Sequence, residues 1–217
     1  MEKVINLKTL MMILIGIYEY ILGNIIAVFL YNRKYITGKY FRGKRYGFLR
    51  LGWRWAITDF IARVFLNINR GVPYPVSPRN HFTNARNITF EPNDLLMFQG
   101  QGKYFQAINA PITIGKGTYI ADNVGIITTN HNLSNPEKHD PGKAVFLGEK
   151  CWIGMNSVIL PGVVLGDHTV VGAGSVVTKS FRDGHCIIAG NPARLIRVLE
   201  TEGNVLQEEN DGYSTSD

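Results

Sequence analysis

From residue 147 to residue 178 the chain repeats itself every six residues without a break. The units read Leu-Gly-Glu-Lys-Cys-Trp, Ile-Gly-Met-Asn-Ser-Val, Ile-Leu-Pro-Gly-Val-Val, Leu-Gly-Asp-His-Thr-Val and Val-Gly-Ala-Gly-Ser-Val, followed by Val-Thr. An aliphatic residue opens each unit, at Leu147, Ile153, Ile159, Leu165, Val171 and Val177. A fixed short period is the mark of a repeat architecture. Six residues are too few for a helical repeat and suit one short strand plus one tight corner. The opener points inward, and the residue four places on, such as Cys151, Ser157, Thr169 or Ser175, supplies a second, small inward side chain. Three units close one triangular coil, so Leu147 should stack on Leu165, Ile153 on Val171 and Ile159 on Val177, giving a column of aliphatics. Gly148, Gly154, Gly166 and Gly172 follow openers and are expected to take corner dihedrals that a Cβ resists.

The same phase occurs earlier, at Ile114, Ile120 and Ile126, but the next opener, Leu147, comes twenty-one residues later. The surplus of fifteen predicts a loop thrown out of one corner, roughly residues 128–145. It carries Asn130, His131, Asn132, Asn135, Lys138, His139 and Asp140, and a polar loop on a rigid scaffold is where function concentrates.

The N-terminal third has a different character. Leu10 to Leu30 is almost wholly apolar, interrupted by Glu19 and Asn24, and long enough to span a bilayer. One acidic residue near the centre costs about 2.5–3.5 kcal/mol on insertion scales, which the surrounding Leu, Ile, Met and Phe can offset. Between Tyr31 and Thr58 stand eight basic residues and no acid, interleaved with Tyr31, Tyr35, Tyr40, Phe41, Tyr46, Phe48, Trp53 and Trp55. Such a mixture suits nucleic acid or an anionic leaflet with rings at headgroup depth. The apolar segment before it favours the membrane surface and argues against a nucleic-acid partner. Trp53, Ile57, Phe60, Ile61, Val64, Phe65 and Ile68 share one helical face, with Arg54, Asp59, Arg63 and Asn67 elsewhere; core docking and membrane contact both explain that face. Pro73, Pro75 and Pro78 mark a linker. Two cysteines, Cys151 and Cys186, make no disulfide framework and point to a reducing compartment. No Cys spacing fits a zinc site, and no metal is expected.

Four segments are individually specific: Thr-Asn-His-Asn at 129–132, Cys-Trp-Ile-Gly at 151–154, Val-Gly-Ala-Gly-Ser-Val-Val-Thr-Lys at 171–179 and Ala-Gly-Asn-Pro-Ala-Arg at 189–194. With the repeat, they resemble the hexapeptide-repeat acyltransferases over about residues 112–197, and more weakly back to Pro73. The resemblance implies a mainly β protein built as a left-handed parallel β-helix, here with an N-terminal helical, membrane-associating segment. General chirality rules alone favour right-handed crossovers.

That resemblance implies an O-acetyltransferase using acetyl-CoA. His131 matches the catalytic base, a role suited to imidazole, which titrates near neutrality. It would take the acceptor proton and return one to the departing thiolate. An orienting partner is needed, whether a backbone carbonyl, an amide or a carboxylate; Asn109, Asn132, Gln101 and Asp140 are the side-chain candidates. His139 and Asn130 on the loop, Asn109 and the outward Trp152 are the expected acceptor contacts. Met155, Ala173, Thr178, Lys179, Arg194 and Arg197 match coenzyme A contacts, although relatives often carry a smaller polar residue at the Met155 position. Arginine forks suit phosphate oxygens. His81, His168 and His185 read as corner residues.

The family forms homotrimers with each site between two chains, and Val163, Val164 and Val170 are the outward apolar residues such packing would cover. The expected organisation is a membrane-associating segment over 1–70, a linker with irregular first coils over 71–111, the repeat domain over 112–199 with its loop 128–145, and a disordered tail over 200–217. The expected acceptor is a hydroxyl of a cell-surface glycan or its lipid-linked sugar precursor, at the cytoplasmic face of a bacterial membrane. A small soluble sugar or amino sugar, a non-catalytic scaffold role and a metal hydrolyase built on His131, His139 and His168 are the rivals.

Overall fold

Each repeat unit folds into a strand of two or three residues and a corner, and the strands pile into three faces. The computed structural model describes residues 6–42 and 51–200. Lys44, Arg45, Tyr46, Phe48 and Arg50 of the basic stretch lie outside the described residues, as does the tail from Thr201 to Asp217 that the sequence reads as disordered.

The first coil holds β1 (His81–Phe82) and β2 (Ile88–Thr89), with a 3-10 turn at Pro92–Phe98 in place of a third strand. The second holds β3 (Tyr104–Gln106), β4 (Ile112–Ile114) and β5 (Tyr119–Ile120). The third holds β6 (Gly125–Ile127), β7 (Val145–Leu147) and β8 (Trp152–Ile153). The fourth holds β9 (Val158–Ile159), β10 (Val164–Leu165) and β11 (Thr169–Val171). Then come β12 (Val176–Val177), β13 (Cys186–Gly190) and β14 (Ala193–Val198). Face one is β1-β3-β6-β9-β12, face two β2-β4-β7-β10 and face three β5-β8-β11-β13-β14, all parallel except the closing β13–β14 pair.

The register is the one the period demands. Leu147 pairs with Leu165, Ile153 with Val171 and Ile159 with Val177. The phase holds across the loop, with Ile114 on Leu147, Ile120 on Ile153 and Ile126 on Ile159. All of these openers are buried, as are Cys151, Ser157, Val163, Thr169 and Ser175. Val163 therefore points into the core, contrary to its expected place on an outward face: the four-after-opener rule governs it as it governs Ser157. The inward hydroxyls are satisfied by corner carbonyls, Ser157 donating to Gly172 at 3.0 Å and Thr169 to Gly166 at 2.7 Å.

The glycines after the openers are needed for a different reason from the one expected. Their φ values are not positive; instead a Cβ on Gly154 would lie 2.6 Å from the Ala173 nitrogen in the next coil. The left-handed corner position falls two residues later, at Lys150, Asn156, Gly162, His168 and Gly174. Asn and Gly tolerate it; Lys150 (φ 51°) and His168 (φ 56°) hold a conformation that bulky residues resist.

The N-terminal region caps the first coil. Helix α1 (Leu7–Leu30) begins at Asn6, whose side chain accepts the Thr9 N–H, and most of its apolar surface is exposed, from Leu7 to Phe29. A four-residue helix α2 (Lys39–Arg42) and helix α3 (Leu51–Leu66) follow. The aromatic residues of the basic stretch are not a stacking surface. Tyr31, Tyr35, Tyr40, Phe41 and Trp53 are buried, and Tyr35 packs on Tyr74 and Phe90, joining the rings of Phe82, Phe98 and Phe105 that fill the first coils. A stacked coil needs such a plug, because its end would otherwise show water an open core.

Helix α3 splits its apolar face, with Trp53 buried and Ile57 and Phe60 part-buried against the core while Ile61, Val64 and Phe65 turn outward. Gly52, Trp53, Ala56, Asp59, Ala62 and Arg63 are buried, whereas Ile61, Val64, Phe65 and Leu66 are exposed, Phe65 at 75%. The reason is a polar hub. Asp59 accepts from the Tyr31 hydroxyl at 2.8 Å and pairs with Arg63 at 2.6 Å, while Arg63 donates to the carbonyls of Val72 and Tyr74. Burial raises the Asp59 carboxyl above its ordinary value, against the opposing pull of Arg63 and Tyr31. Helix α1 crosses α3 through Gly23 beneath Trp53 and through the Glu19–Arg54 ion pair.

Candidate functional site

The chain leaves face one at Ile127 and re-enters at Val145, so the loop occupies the edge between faces one and two. It is folded on itself. The backbone pairs His131 with His139 in an antiparallel bridge and brings their rings to 4.4 Å. Asn132 organises the tip: its carbonyl-type oxygen accepts from Ser134 and Asn135, its amide donates to Asp140 at 2.8 Å, and its backbone N–H donates to Lys138. Thr129 ties the base of the loop to the Asp140 carbonyl at 2.7 Å.

This turn carries the Pro136 carbonyl to 2.6 Å from His131 Nδ1. A carbonyl oxygen only accepts, so Nδ1 carries a proton, and in the neutral ring the lone pair lies on Nε2. The orienting partner is thus a backbone carbonyl. None of the four side-chain candidates fills the role: Asn132 and Asp140 bond each other, Gln101 accepts from Arg79 at 2.8 Å, and Asn109 turns a corner at φ 59°. No sequence signal marks Pro136, because its contribution is its backbone oxygen.

The other expected residues fall at two edges. Asn109, Asn130, His131 and His139 share the edge between faces one and two; the exit of the loop at Gly142 lies against the Asn109 backbone. Thr178 and Lys179 follow β12 at the same edge, with the Lys179 ammonium 5.5 Å from the Phe181 ring. Met155 and Ala173 lie at the edge between faces three and one, where they line a cleft of about 370 Å³ with Trp152, Ala121, Val170 and Gly172. Trp152 is 55% exposed on face three, as the inward Cys151 beside it requires. Arg194 and Arg197 project from β14 on the same face and are exposed. One chain therefore carries His131 at one edge and the apolar cleft at another.

His168 and His185 stack at 4.6 Å at the remaining edge, away from His131. Among the described residues no group of three His, Cys, Asp or Glu is placed to hold a metal ion. Burial raises both cysteine thiols, and Cys151 donates to the Gly166 carbonyl, which suits a structural role.

Two features went unread in the sequence. Tyr119 pairs in register with Trp152 and is 56% exposed, so both rings lie on the outer side of face three. The period contained this signal, since both residues immediately precede an opener. The second feature is the Lys103–Asp122 ion pair at 2.8 Å, beside the same cleft.

A family model described as bacterial transferase hexapeptide (six repeats) matches residues 144–179. WbbJ of Escherichia coli K12, named "Putative lipopolysaccharide biosynthesis O-acetyl transferase", is 32% identical over 191 residues, covering 73% of this chain and 93% of WbbJ. The galactoside O-acetyltransferase of the same organism is 40% identical over 91 residues, or 41% of this chain and 44% of that protein. The chain likewise spans about half the length of several other curated relatives it matches. A solved galactoside acetyltransferase in complex with coenzyme A superposes with a TM-score of 0.50 at 23% identity, over 85% of this chain and 82% of that one, and so shares the fold.

Proposed function

The chain belongs to the bacterial hexapeptide-repeat transferase family, and from that premise we propose that it moves an acetyl group from acetyl-CoA to a hydroxyl of a cell-surface polysaccharide or of its lipid-linked sugar precursor. The observation that carries this reading is the hold of the Pro136 carbonyl on His131 Nδ1, which supports Nε2 as the basic nitrogen.

Nε2 takes the proton of the acceptor hydroxyl as its oxygen attacks the thioester carbonyl. The tetrahedral intermediate collapses with cleavage of the carbon–sulfur bond, and the imidazolium returns the proton to the thiolate. The products are the acetyl ester and free coenzyme A. The apolar cleft beside Trp152, Met155 and Ala173 suits the pantetheine arm. Exposed Arg194, Arg197 and Lys179 suit its phosphates. The polysaccharide acceptor is favoured by the match along 93% of WbbJ.

The division of the site between two edges supports a homotrimer of left-handed β-helices, in which the loop of one chain covers the Trp152 cleft of the next. Half-buried Val164 and Val170 are available to such packing. The exposed apolar surface of α1, with Phe65 and Leu66 of α3, supports attachment at the cytoplasmic face of the membrane.

The test compares the surface glycan of the native host with that of a His131→Ala strain, by mass spectrometry before and after mild base. Loss of a base-labile acetyl mass in the variant is expected, with activity in extracts falling about 10²–10⁴-fold. Identical glycans would remove the polysaccharide acceptor; a silent variant in every acetyl-transfer assay would leave a scaffold.

A further inference from the structure

Beside the Trp152 cleft runs a groove that none of the chemistry above uses. It lies between α3 and the edge joining faces three and one, with a volume of about 600 Å³. Trp55 of α3 and Tyr119 of β5 stand in its walls, and Asp122 lies within it. It adjoins the Trp152 cleft at Ala121 and Met155, which line both. In the other direction it continues, past Gln99, Gly100 and Asp122, into a polar cavity of about 540 Å³ that Thr58, Arg79 and Gln101 line.

We propose that this groove is a subsite for a glycan chain, holding the sugar units that flank the one that is acetylated. The inference rests on the polysaccharide reading given above and says where such a chain would lie.

The chemistry is that of carbohydrate recognition. A pyranose has apolar C–H faces and a rim of hydroxyls, so it pairs with aromatic surface and with fixed hydrogen-bond acceptors. Tyr119 and Trp55 give the groove its aromatic surface, and Trp152, in register with Tyr119 on the next coil, lines the neighbouring cleft. Asp122 gives the acceptor. Its Oδ1 receives the Lys103 ammonium at 2.8 Å and the Gln101 N–H at 2.9 Å, and Lys103 itself is only 2% exposed. A buried lysine directed at a carboxylate that is still 42% exposed fixes a negative acceptor at the rim of the groove. Those two donors hold the Asp122 carboxyl below its ordinary value, so it stays ionised. The Arg79 guanidinium, 2.8 Å from the Gln101 amide oxygen, adds donors at the far end. The groove is mixed, with Leu51, Leu96, Met97 and Ile120 beside Gln99, Lys103 and Asp122, which suits a sugar ring with apolar faces and a hydroxyl rim.

The experiment uses surface polysaccharide of the host, stripped of esters by mild base and cut to fragments of one repeat unit and of several. Acetyl transfer from acetyl-CoA is measured for each length with the full-length protein, its Tyr119→Ala and Tyr119→Phe variants, and Gln101→Ala. For the native protein, kcat/KM should rise with fragment length. Tyr119→Ala should lower the ratio of long-fragment to short-fragment kcat/KM by about tenfold, the weight of one aromatic contact. Tyr119→Phe should restore the ratio, and Gln101→Ala should lower it by less. Thermal midpoints exclude misfolding as the cause. A native protein indifferent to length, or a ratio that Tyr119→Ala leaves unmoved, would overturn the subsite while sparing the polysaccharide acceptor. Failure to acetylate any fragment, with transfer to free sugars intact, would bring both down.

Discussion

The coils and the helical cap bury their residues by opposite rules. In the coils, burial follows position in a six-residue count, and each inward side chain meets the residue one coil away. In the cap, burial follows polar partners that no period announces. Asp59 and Arg63 are inside because Tyr31, Val72 and Tyr74 meet them there, and Ile61 and Phe65 are outside although both are apolar. A periodic region states its own interior; a docked helix acquires one from what it docks against.

The hardest test of that contrast is Arg63→Ala. Removing one partner of a buried pair leaves an uncompensated charge, with a loss of about 3–5 kcal/mol. The sign of the pH dependence follows from the Asp59 carboxyl, already raised by burial. Without Arg63 it rises further. A native group with a raised carboxyl pKa binds a proton where the unfolded chain does not, so stability falls as pH increases through that window. Denaturant titrations should therefore show a smaller loss at pH 5 than at pH 8. An equal loss at both would mean that Arg63 acts through its carbonyl contacts alone.

A smaller effect probes the coils. Ile153→Val should cost about 0.5–1.5 kcal/mol. Combined with Ile120→Val on the adjoining coil it should show a coupling energy of about 0.5 kcal/mol or more, whereas combined with a change in α3 it should simply add. Coupling to α3 of similar size would erase the distinction between the two regions.

The smallest effect on stability sharpens the comparison most. Phe65→Lys and Leu14→Lys alter exposed residues and should leave the melting transition within about 0.5 kcal/mol of native. They should nevertheless move the protein from the membrane pellet to the supernatant in flotation assays. Unchanged partitioning would assign the exposed apolar surface to another partner. Deleting residues 1–70 is a poorer test, because it would strip Tyr35, Phe41 and Trp53 from the first coils.

Much of the coil region was legible because a short period repeats its own evidence. The stacking of Ile126 on Ile159 across an intervening loop followed from counting, and so did the place of His131 on that loop. The count did not distinguish two uses of glycine. Gly154 makes room for the next coil, while the left-handed corner falls on Asn156. Nor did it reveal the Pro136 carbonyl or the Lys103–Asp122 pair, since each depends on where chain segments meet in space. In α3 the helical period identified an apolar stripe, but the stripe alone carries no information about which side a tertiary hub will claim.

The loop between Ile127 and Val145 has a further consequence. Val145 settles on Ile112 as if the intervening residues were absent. A corner that admits an excursion without disturbing the coil beyond it pays only for closing the ends, and doubling the excursion adds about 0.6 kcal/mol. The scaffold can thus exchange whole reactive segments at its edges while its interior stays the same. New specificities can arise in such a chain by insertion and replacement at a corner, with the arithmetic of the coils left untouched.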